Sequence, residues 1–279
     1  MNDTVSPVDT TTPDGRSFGV TTFPQVYKSE RWRMDELHSH EDHTIMWVTR
    51  GQGRVVIRGT TYGFGPNNVF FIPAGTLFSI EVSSFVFGSI LRIPTSASDQ
   101  FPQKPEHIRM RDAFFQADFT TLHDRMHHEI THPDRGSLRA NAAILELMLV
   151  WLERIKDPAA VIKKSAAEKL MLAFTDLIED QLYDGLSVAD YAGQLNVTPT
   201  HLTRVCQKSC DRSASHILTE RVMYEAKTLL RDTDMAVNKI AVELTFTSAA
   251  YFTRAFQNST QQTPTEFRNN STTQNAYFS

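Results

Sequence analysis

Two arginines near the end of the chain occupy equivalent places in a repeated pattern. Leu202-Thr203-Arg204 and Phe252-Thr253-Arg254 each carry an apolar residue, a threonine and an arginine in the same order. Arginine can donate two parallel hydrogen bonds to guanine or pair with a phosphate, and threonine can donate to base edges or to the backbone. The repeat therefore predicts two helices that present donors to double-stranded DNA.

Each arginine is predicted to lie on the second helix of a helix-turn-helix unit. In the first unit, residues 186–195 form an amphipathic helix opened by Ser187, and Asn196 tolerates a left-handed turn. Thr198-Pro199 then begins the next helix, because threonine caps and proline takes the first helical position. The second unit repeats the pattern over residues 236–244 and 248–257. A long helix over residues 213–230 is predicted to separate the units as a rigid spacer.

The charges limit how DNA could be held. The net charge is −4 at pH 7, and from residue 184 onward nine bases are matched by nine acids. Binding through bulk positive charge is therefore excluded. Affinity must come from a few well-placed cations and from helix N-termini directed at phosphates. We expect weak binding by a monomer, strengthened by dimerisation.

The totals describe a globular chain of about two domains. Its 279 residues are 41% hydrophobic and 22% charged, which allows a sizeable core. No window reaches the ~18 uncharged apolar residues of a membrane span, and the start lacks a signal-peptide pattern, so we expect a cytoplasmic protein. Cys206 and Cys210 are expected to be reduced packing residues.

The chain changes character along its length. Residues 1–16 are polar and aperiodic and are predicted to be a disordered tail. Residues 17–105 contain short runs broken by glycine turns, which predicts a β-sandwich or barrel. Residues 106–165 are predicted to be helical, residues 166–270 to hold both helix-turn-helix units, and residues 271–279 to be a tail. The expected fold class is α+β with two domains.

One helical segment is a candidate for contact with a second copy of the chain. Apolar residues surround much of the predicted helix over 137–156, which indicates burial on more than one side. A partner subunit would cover the extra side in a homodimer; alternatively, the helix packs wholly on its own barrel. Two further helices are predicted over 115–131 and 165–183. The predicted strands are residues 44–49, 54–58, 69–72, 78–82 and 85–92.

The last third resembles the DNA-binding domain of the AraC/XylS family of bacterial transcription regulators. The resemblance covers about residues 169–268. Its motifs are Ser187-x-x-x-x-Ala192, Glu220-Arg221, Ala226-x-x-Leu229-Leu230, Ile240-Ala241, Phe246, Tyr251-Phe252-x-Arg254-x-Phe256 and Thr263-Pro264-x-Glu266-Phe267-Arg268. In that family, two recognition helices enter successive major-groove segments on one face of DNA.

The resemblance implies which side chains face DNA. They are Thr200, His201, Thr203 and Arg204 in the first unit and Ala249, Ala250, Tyr251 and Arg254 in the second. Because alanine can only touch thymine methyl groups, the second unit is expected to read little sequence. For Tyr251 a core or phosphate contact is favoured over base reading. The expected core residues are Leu202, Val205, Phe252 and Phe256.

Three positions depart from the family pattern. The glycine usual in the second turn is Thr245, and the glycines usual after the recognition helices are Asp211 and Gln261. Where a positive φ is required, aspartate is a fair substitute for glycine, and threonine and glutamine are poorer ones. We expect the fold to persist with some strain in the second unit.

The N-terminal half is similar to the cupin domains that often serve this family as sensors. His38-Ser39-His40, Gly51-x-Gly53 and Pro73-Ala74-Gly75 carry the similarity. In metal-binding cupins a carboxylate and a third histidine complete the site, but Thr44 and Phe78 stand at those positions. Glu41 or His43 would have to substitute. We therefore expect neither a metal nor another cofactor.

The barrel is then a candidate pocket for a small effector, either an aromatic acid or another small anion. The expected lining residues are His38, His40, Trp47, Phe71 and Phe78. The leading hypothesis is an effector-controlled transcription activator, not an enzyme, that binds promoter DNA and RNA polymerase as a homodimer. The alternatives are a cupin-type metalloenzyme with a helical appendage and a regulator that needs no ligand.

Overall fold

We describe residues 10–12, 14–82, 85–155 and 164–275 of a computed structural model of the chain. These residues form two domains, a β-rich one followed by a helical one, as predicted. Residues 1–9, 13 and 276–279 of the two expected tails lie outside the described residues. In the described parts of the tails, Thr11 bridges Ser17 and the last helix runs to Asn275, so the predicted tail boundaries are wrong there.

The N-terminal domain is built from two antiparallel sheets. The strands of the described chain are β1 (Gly19–Thr22), β2 (His43–Arg50), β3 (Gly53–Ile57), β4 (Thr60–Phe64), β5 (Asn68–Ile72), β6 (Phe78–Val82), β7 (Phe87–Ile93) and β8 (Glu106–Arg109). One sheet has the order β1-β7-β2-β5-β8 and the other β4-β3-β6. Because β8 pairs with β5, the sheet continues past the boundary predicted at residue 105.

Side-chain alternation along the strands divides the domain into layers. Met46 and Phe70 face the space between the sheets, together with residues of β3, β4 and β6. Ile45 and Val69 face the opposite side of the five-stranded sheet. The space between the sheets is filled with apolar side chains: Met46, Val48, Val55, Ile57, Phe64, Phe70, Ile72, Phe78, Ile80 and Ile90.

Two long helices cover the outer face of the five-stranded sheet. These are α3 (Ala113–Thr131) and α4 (Ser137–Ile155). Leu145 and Leu149 of α4 are buried against this sheet and α3. The other side of α4 is open, since the side chain of Leu147 is 51% exposed. The apolar residues of α4 thus serve two different surfaces.

Two short helices that the sequence analysis missed, α1 (Phe23–Ser29) and α2 (Trp32–Asp35), connect β1 to β2. Thr22 and Gln25 form a capping box at the start of α1. Their Thr-x-x-Gln spacing is the sequence pattern that predicts such a helix start. The helices place Glu30 and Arg33 beside the C-terminal domain. This connection therefore forms part of the surface between the domains.

The C-terminal domain is helical throughout its described length. Its helices are α5 (Ala166–Asp180), α6 (Val188–Gln194), α7 (Pro199–Cys210), α8 (Ala214–Asp232), α9 (Val237–Glu243), α10 (Ala249–Thr260) and α11 (Pro264–Asn275). The first unit is α6–α7, the second is α9–α10, and α8 separates them as predicted. No helix in the described part of the chain is long and apolar enough to cross a membrane.

The two units have separate apolar cores, and only the first is shared with the barrel. Phe174 of α5 and Leu202 of α7 pack in one cluster with Val56 of β3 and Leu77. Phe252 and Phe256 of α10 pack with residues of α8, α9 and α11. Because the first core includes barrel residues, the first unit is docked on the outer face of the three-stranded sheet.

Candidate nucleic-acid interface and interdomain cleft

The two recognition helices share one backbone frame. Thr198 caps α7 by accepting the N–H of His201, and Ser248 caps α10 by accepting the N–H of Tyr251. Each helix spans twelve residues. Equal distances from the caps therefore pair Thr200 with Ala250, and the two arginines with each other.

All eight side chains that the family resemblance assigned to DNA lie on the accessible side of these helices. Thr203 is partly exposed and the other seven are exposed. Tyr251 is 52% exposed, so the core alternative for this residue is wrong. Leu202 and Phe252 are completely buried, as expected for core residues. The helices thus present the predicted face, although its contacts with DNA stay a prediction.

Arg204 and Arg254 have no hydrogen bond or ion pair to any residue in the described ranges. Burial does not hold them either, since both are exposed. Their guanidinium groups are therefore available to a ligand with acceptor atoms, such as guanine or a phosphate. The cations of α8 differ, because they are engaged with carboxylates.

The left-handed turns lie where the sequence predicted them. Asn196 has φ 55° and Thr245 has φ 58°. Asp211 and Gln261, which follow the recognition helices, have φ 57° and 61°. Threonine is β-branched, so its left-handed conformation costs more than that of asparagine. The strain expected in the second unit is thus present in its turn.

A glycine from outside the second unit lies against this strained turn. Gly185 has φ 67°, and a Cβ atom at this position would come within 2.9 Å of the Cβ of Thr245. Only glycine fits this approach without displacing its neighbour. The segment that leads into the first unit is therefore in contact with the turn of the second.

Ion pairs fasten the start of α8 to the three-stranded sheet. Arg212 lies 3.1 Å from the Glu81 carboxylate of β6 and 3.4 Å from Glu220. The N–H of Leu37 donates to Glu220 at 3.0 Å. Burial is the main cause that raises the pKa of Glu220 to about 7. The second turn of α8 thus carries a buried carboxyl group whose pKa lies close to neutral pH.

A second set of ion pairs holds the middle of α8. Arg221 is 6% exposed and contacts Glu179 at 2.8 Å and Glu225 at 2.9 Å. Burial opposes its charge, but the two carboxylates outweigh this effect and raise the Arg221 pKa. Its guanidinium also reaches Ser39 of the barrel, at 3.5 Å.

Further ion pairs join the last turns of α8 to the α1–α2 segment. Lys227 pairs with Glu36, and Arg231 pairs with Glu30. Asp232 at the end of α8 accepts from Arg33 at 2.7 Å. We call these contacts, with those of Arg212 and Arg221, the α8 latch. From residue 184 onward the chain has equal numbers of bases and acids, but they are not paired evenly. The cations of the α8 latch are paired with carboxylates, whereas Arg204 and Arg254 of the recognition helices have no such partner in the described residues.

The five residues predicted to line an effector pocket do not share a cavity. Trp47 and Phe71 face α3, where both rings pack on Phe119, with centroids 5.1 and 6.4 Å away. His38 and Phe78 lie on the other side of the sheet, with ring centroids 4.2 Å apart. The shared pocket was a wrong prediction, because strand alternation sends Trp47 and Phe71 away from the histidines.

The histidines resemble packing residues more than a metal site. The His38 ring is completely buried and its Nδ1 contacts the Glu36 carbonyl at 2.7 Å. His43, considered as a substitute ligand, accepts the N–H of Ala74 at 2.9 Å and stacks on Phe101. Within the described ranges, no group of three or more possible ligands is arranged to hold a metal ion.

A cleft of about 1000 Å³ lies between the barrel and α8. Of the five predicted effector residues, His40 alone lines it. Burial and the neighbouring Arg92 lower the His40 pKa to about 4, so the imidazole is neutral at pH 7. The remaining lining residues are Thr21, Val26, Arg33, Met34, Ser39, Glu41, Ala74, Gly75, Ile90, Arg92, Tyr183, Arg221, Tyr224, Glu225, Thr228 and Asp232.

Both halves of the chain match described families. Residues 23–148 match the AraC-like ligand binding domain, and residues 191–270 match a helix-turn-helix domain. The chain is 23% identical over 242 residues to the HTH-type transcriptional activator RhaR of Mannheimia succiniciproducens, covering 83% of this chain and 86% of that protein. It is 24% identical to the uncharacterized HTH-type transcriptional regulator YfiF of Bacillus subtilis, covering 83% and 78%.

Two solved structures match parts or most of the chain with TM-scores below 0.5. Fatty-acid-bound ToxT from Vibrio cholerae matches 90% of this chain and 94% of its own, at 14% identity and a TM-score of 0.45. The C-terminal domain of the response regulator yesN from Fusobacterium nucleatum matches 37% of this chain and 99% of its own, at 25% identity and a TM-score of 0.34. The first similarity spans both domains and the second only the helical one.

Proposed function

Because the chain is an AraC-type transcription regulator with an N-terminal ligand-binding domain, we propose that it reads promoter DNA through α7 and α10 under the control of a small anion bound in the interdomain cleft. No catalytic step is part of this proposal. One observation carries the DNA-binding part: Arg204 and Arg254 stand at equivalent positions of two exposed helices, without partners in the described structure.

Selection from a random DNA library with purified protein tests the DNA-binding part, at two salt concentrations. We expect an operator with two half-sites of different sequence. Selection with Arg204→Ala and with Arg254→Ala then assigns each half-site to a helix, because each variant weakens selection of its own half-site and leaves the other unchanged. Enrichment of no sequence by folded protein, with and without candidate effectors, would contradict the proposal.

The effector site that we propose is the cleft rather than the barrel interior. The space between the two sheets is occupied by apolar side chains, whereas the cleft has room for a small molecule. Its walls come from the barrel and from α8. A ligand there would contact both domains and could change how the two units are presented.

The charges around the cleft favour an anion with an apolar body. Arg33 and Arg221 are neutralised by carboxylates. Arg92 is exposed and has no ion pair to the described residues, so it is the cation left for a ligand. Val26, Met34 and Tyr224 supply apolar wall. A monocarboxylic acid, aliphatic or aromatic, satisfies both features.

Thermal unfolding with a panel of carboxylic acids and their neutral amides tests this site. Acids that bind should raise the Tm and their amides should not. Arg92→Gln should abolish the rise. Arg109→Gln, which removes an exposed cation from the opposite edge strand of the same sheet, should leave it intact. Equal stabilisation of both variants would refute the assignment to the cleft.

The outer side of α4 is the proposed homodimer contact. Leu147 is 51% exposed and Val150 is 36% exposed, and at the start of α3 Phe114 is 66% exposed. The Trp151 ring lies 6.1 Å from that of Phe114 and extends the apolar surface. A second copy of the chain could cover this surface through the same residues.

Two charge substitutions on different faces of α4 test the dimer. Leu147→Glu should yield a folded monomer, because Leu147 faces outward. Leu149→Glu should instead unfold the barrel, because Leu149 is 2% exposed and lies in the core. Sedimentation reports the mass, and circular dichroism reports folding. A Leu147→Glu variant that sediments like wild type would rule out this face.

We propose activation, through contact with RNA polymerase, as the regulatory outcome. The supporting observation is that the RhaR relative is named an activator. Transcription in vitro from the selected promoter should increase on adding the regulator and its effector. A decrease would assign repression instead.

A further inference from the structure

The leading turn of the second recognition helix presents fewer hydrogen-bond donors than that of the first. Thr200 and His201 of α7 correspond to Ala250 and Tyr251 of α10, and Ala249 precedes them at the first helical position. All three α10 residues are exposed. The leading turn of α10 therefore shows two methyl groups and a phenol ring with one hydroxyl, where α7 shows a hydroxyl and an imidazole.

A threonine that both helices share differs in its hydrogen bonding. The Thr253 hydroxyl donates to the Ala249 carbonyl at 2.9 Å. The Thr203 hydroxyl has no hydrogen bond to the described residues and is free to donate. Because a hydroxyl has one donor, Thr253 has no donor left for a base edge. The apolar character of the α10 face thus extends along the helix.

The major groove offers one apolar group to such a surface, the C5-methyl of thymine. Resting on the proposed function, we infer that α10 recognises its half-site through thymine methyl groups. Arg254 anchors the helix on a guanine or a phosphate, and Ala249, Ala250 and Tyr251 exclude water from the methyl groups. The α7 half-site is read by hydrogen bonds instead. A helix that touched only phosphates would need no exposed apolar residues at its leading turn.

Replacing thymine by deoxyuracil removes only the methyl group and tests this inference on the selected operator. In the α10 half-site, each contacted thymine should lose about fourfold in affinity on replacement, the value for one buried methyl-sized group. The same replacement in the α7 half-site should change the Kd less than twofold. The comparison uses full-length protein with its effector, if one is required for binding.

A protein variant ties the effect to named residues. Ala250→Gly removes one methyl group from an exposed position and should abolish the thymine preference at one base pair, with folding checked by circular dichroism. Pro199→Ala at the equivalent first turn of α7 is the matched control and should leave that preference unchanged. Persistence of the full preference in Ala250→Gly would assign the methyl contact elsewhere and refute the role of this residue.

Two outcomes overturn the inference. Equal affinities for thymine and uracil throughout the α10 half-site, with both half-sites still protected, would make α10 a phosphate-binding clamp. An α10 half-site selected without thymine would do the same. Failure to select any operator is distinguishable from these results, because it overturns the proposed function itself and this inference with it.

Discussion

The two helix-turn-helix units have the same backbone and different surroundings. Both have capped recognition helices of twelve residues that end in a left-handed residue. The first unit shares its core with the barrel and adjoins the α8 latch, whereas the second has a core of its own. The first has a relaxed turn at Asn196 and the second a strained one at Thr245. The two units therefore share a backbone structure but differ in stability and in the chemistry of their exposed side chains.

We expect the two units to have different roles in DNA recognition. The docked unit presents hydrogen-bond donors and shares its core with the barrel, so its sequence reading is suited to control by domain docking. The second unit presents fewer donors at its leading turn and meets the N-terminal domain at the end of α8 and at the Trp32–Phe267 ring contact. Substitutions at equivalent positions should therefore have unequal effects.

The largest difference should come from the paired arginines. Arg204→Ala should cost about 1–3 kcal/mol at a guanine in the first half-site and relax specificity there. Arg254→Ala should weaken binding with a smaller change in specificity, because methyl contacts remain. Affinities for operators altered one base pair at a time measure both. Identical specificity profiles for the two variants would remove the distinction between the units.

The contact between Gly185 and Thr245 should make one alanine substitution unusually costly. Gly185→Ala combines a left-handed alanine with displacement of Thr245 and should cost about 2–3 kcal/mol. Gly75→Ala is a matched control, since φ is 68° at Gly75 and a Cβ there would meet no atom within 4 Å. It should cost about 1 kcal/mol. Urea unfolding gives both values.

A double substitution sharpens this test. In a Thr245→Gly background the neighbouring side chain is gone, so Gly185→Ala should cost no more than Gly75→Ala does. An unchanged cost in that background would mean that the two turns are not coupled.

The pH dependence of stability should reflect docking of the first unit. Glu220 binds its proton more tightly in the folded state, because burial raises its pKa from 4.5 to about 7. The stabilisation that results from the raised Glu220 pKa is fully present below the pKa of this carboxyl group in the unfolded chain. It is lost as the pH rises through about 7. Relative to Glu220→Gln, wild type should thus lose about 3 kcal/mol between pH 4.5 and pH 8.

Glu266 gives a control of opposite sign. Hydrogen bonds from Thr263 lower the pKa of this exposed capping carboxyl. Its contribution is therefore present above the unfolded pKa and is lost as the pH falls. The stability difference between wild type and Glu266→Gln should change with pH in the opposite direction. Parallel trends for the two variants would refute the burial effect at Glu220.

The smallest effect should be relief of the strained turn. Thr245→Gly should stabilise the chain by about 1 kcal/mol, because glycine adopts positive φ without a Cβ clash. Asn196→Gly, the equivalent change in the first unit, should alter stability by only a few tenths of a kcal/mol. Thermal unfolding compares them. Equal effects would place the strain outside the turn.

The features that the sequence predicted correctly depend on residues that lie close together in the chain. The cap at Thr198, the left-handed residues and the apolar cores of both units follow from short motifs, and the structure has them where expected. The strand over 78–82 was predicted with its bounds. Strands β1, β4 and β8 were missed, because β1 and β8 have only four residues each and the alternation of β4 is interrupted by Gly63.

The features that were missed depend on contacts between distant residues. The Lys227–Glu36 pair joins residues separated by 191 positions, and no pattern in either segment identifies the other. The wrong pocket had another cause. Trp47 and Phe71 carry the right chemistry for a ligand, but the sheet face to which each points depends on packing of α3, which the sequence leaves open.

Through the α8 latch, carboxylates of the N-terminal domain neutralise cations of the DNA-binding half. Glu81, Glu36 and Glu30 neutralise three of its cations: Arg212, Lys227 and Arg231. Undocking would free these three cations, together with Asp232 and Asp176, which Arg33 and Arg58 neutralise across the same surface. Among these pairs, the DNA-binding half would gain one net positive charge and a stronger long-range attraction to DNA. Affinity would then fall more steeply with salt. The docked and undocked forms would thus differ in the rate at which they find a promoter, as well as in how they bind it.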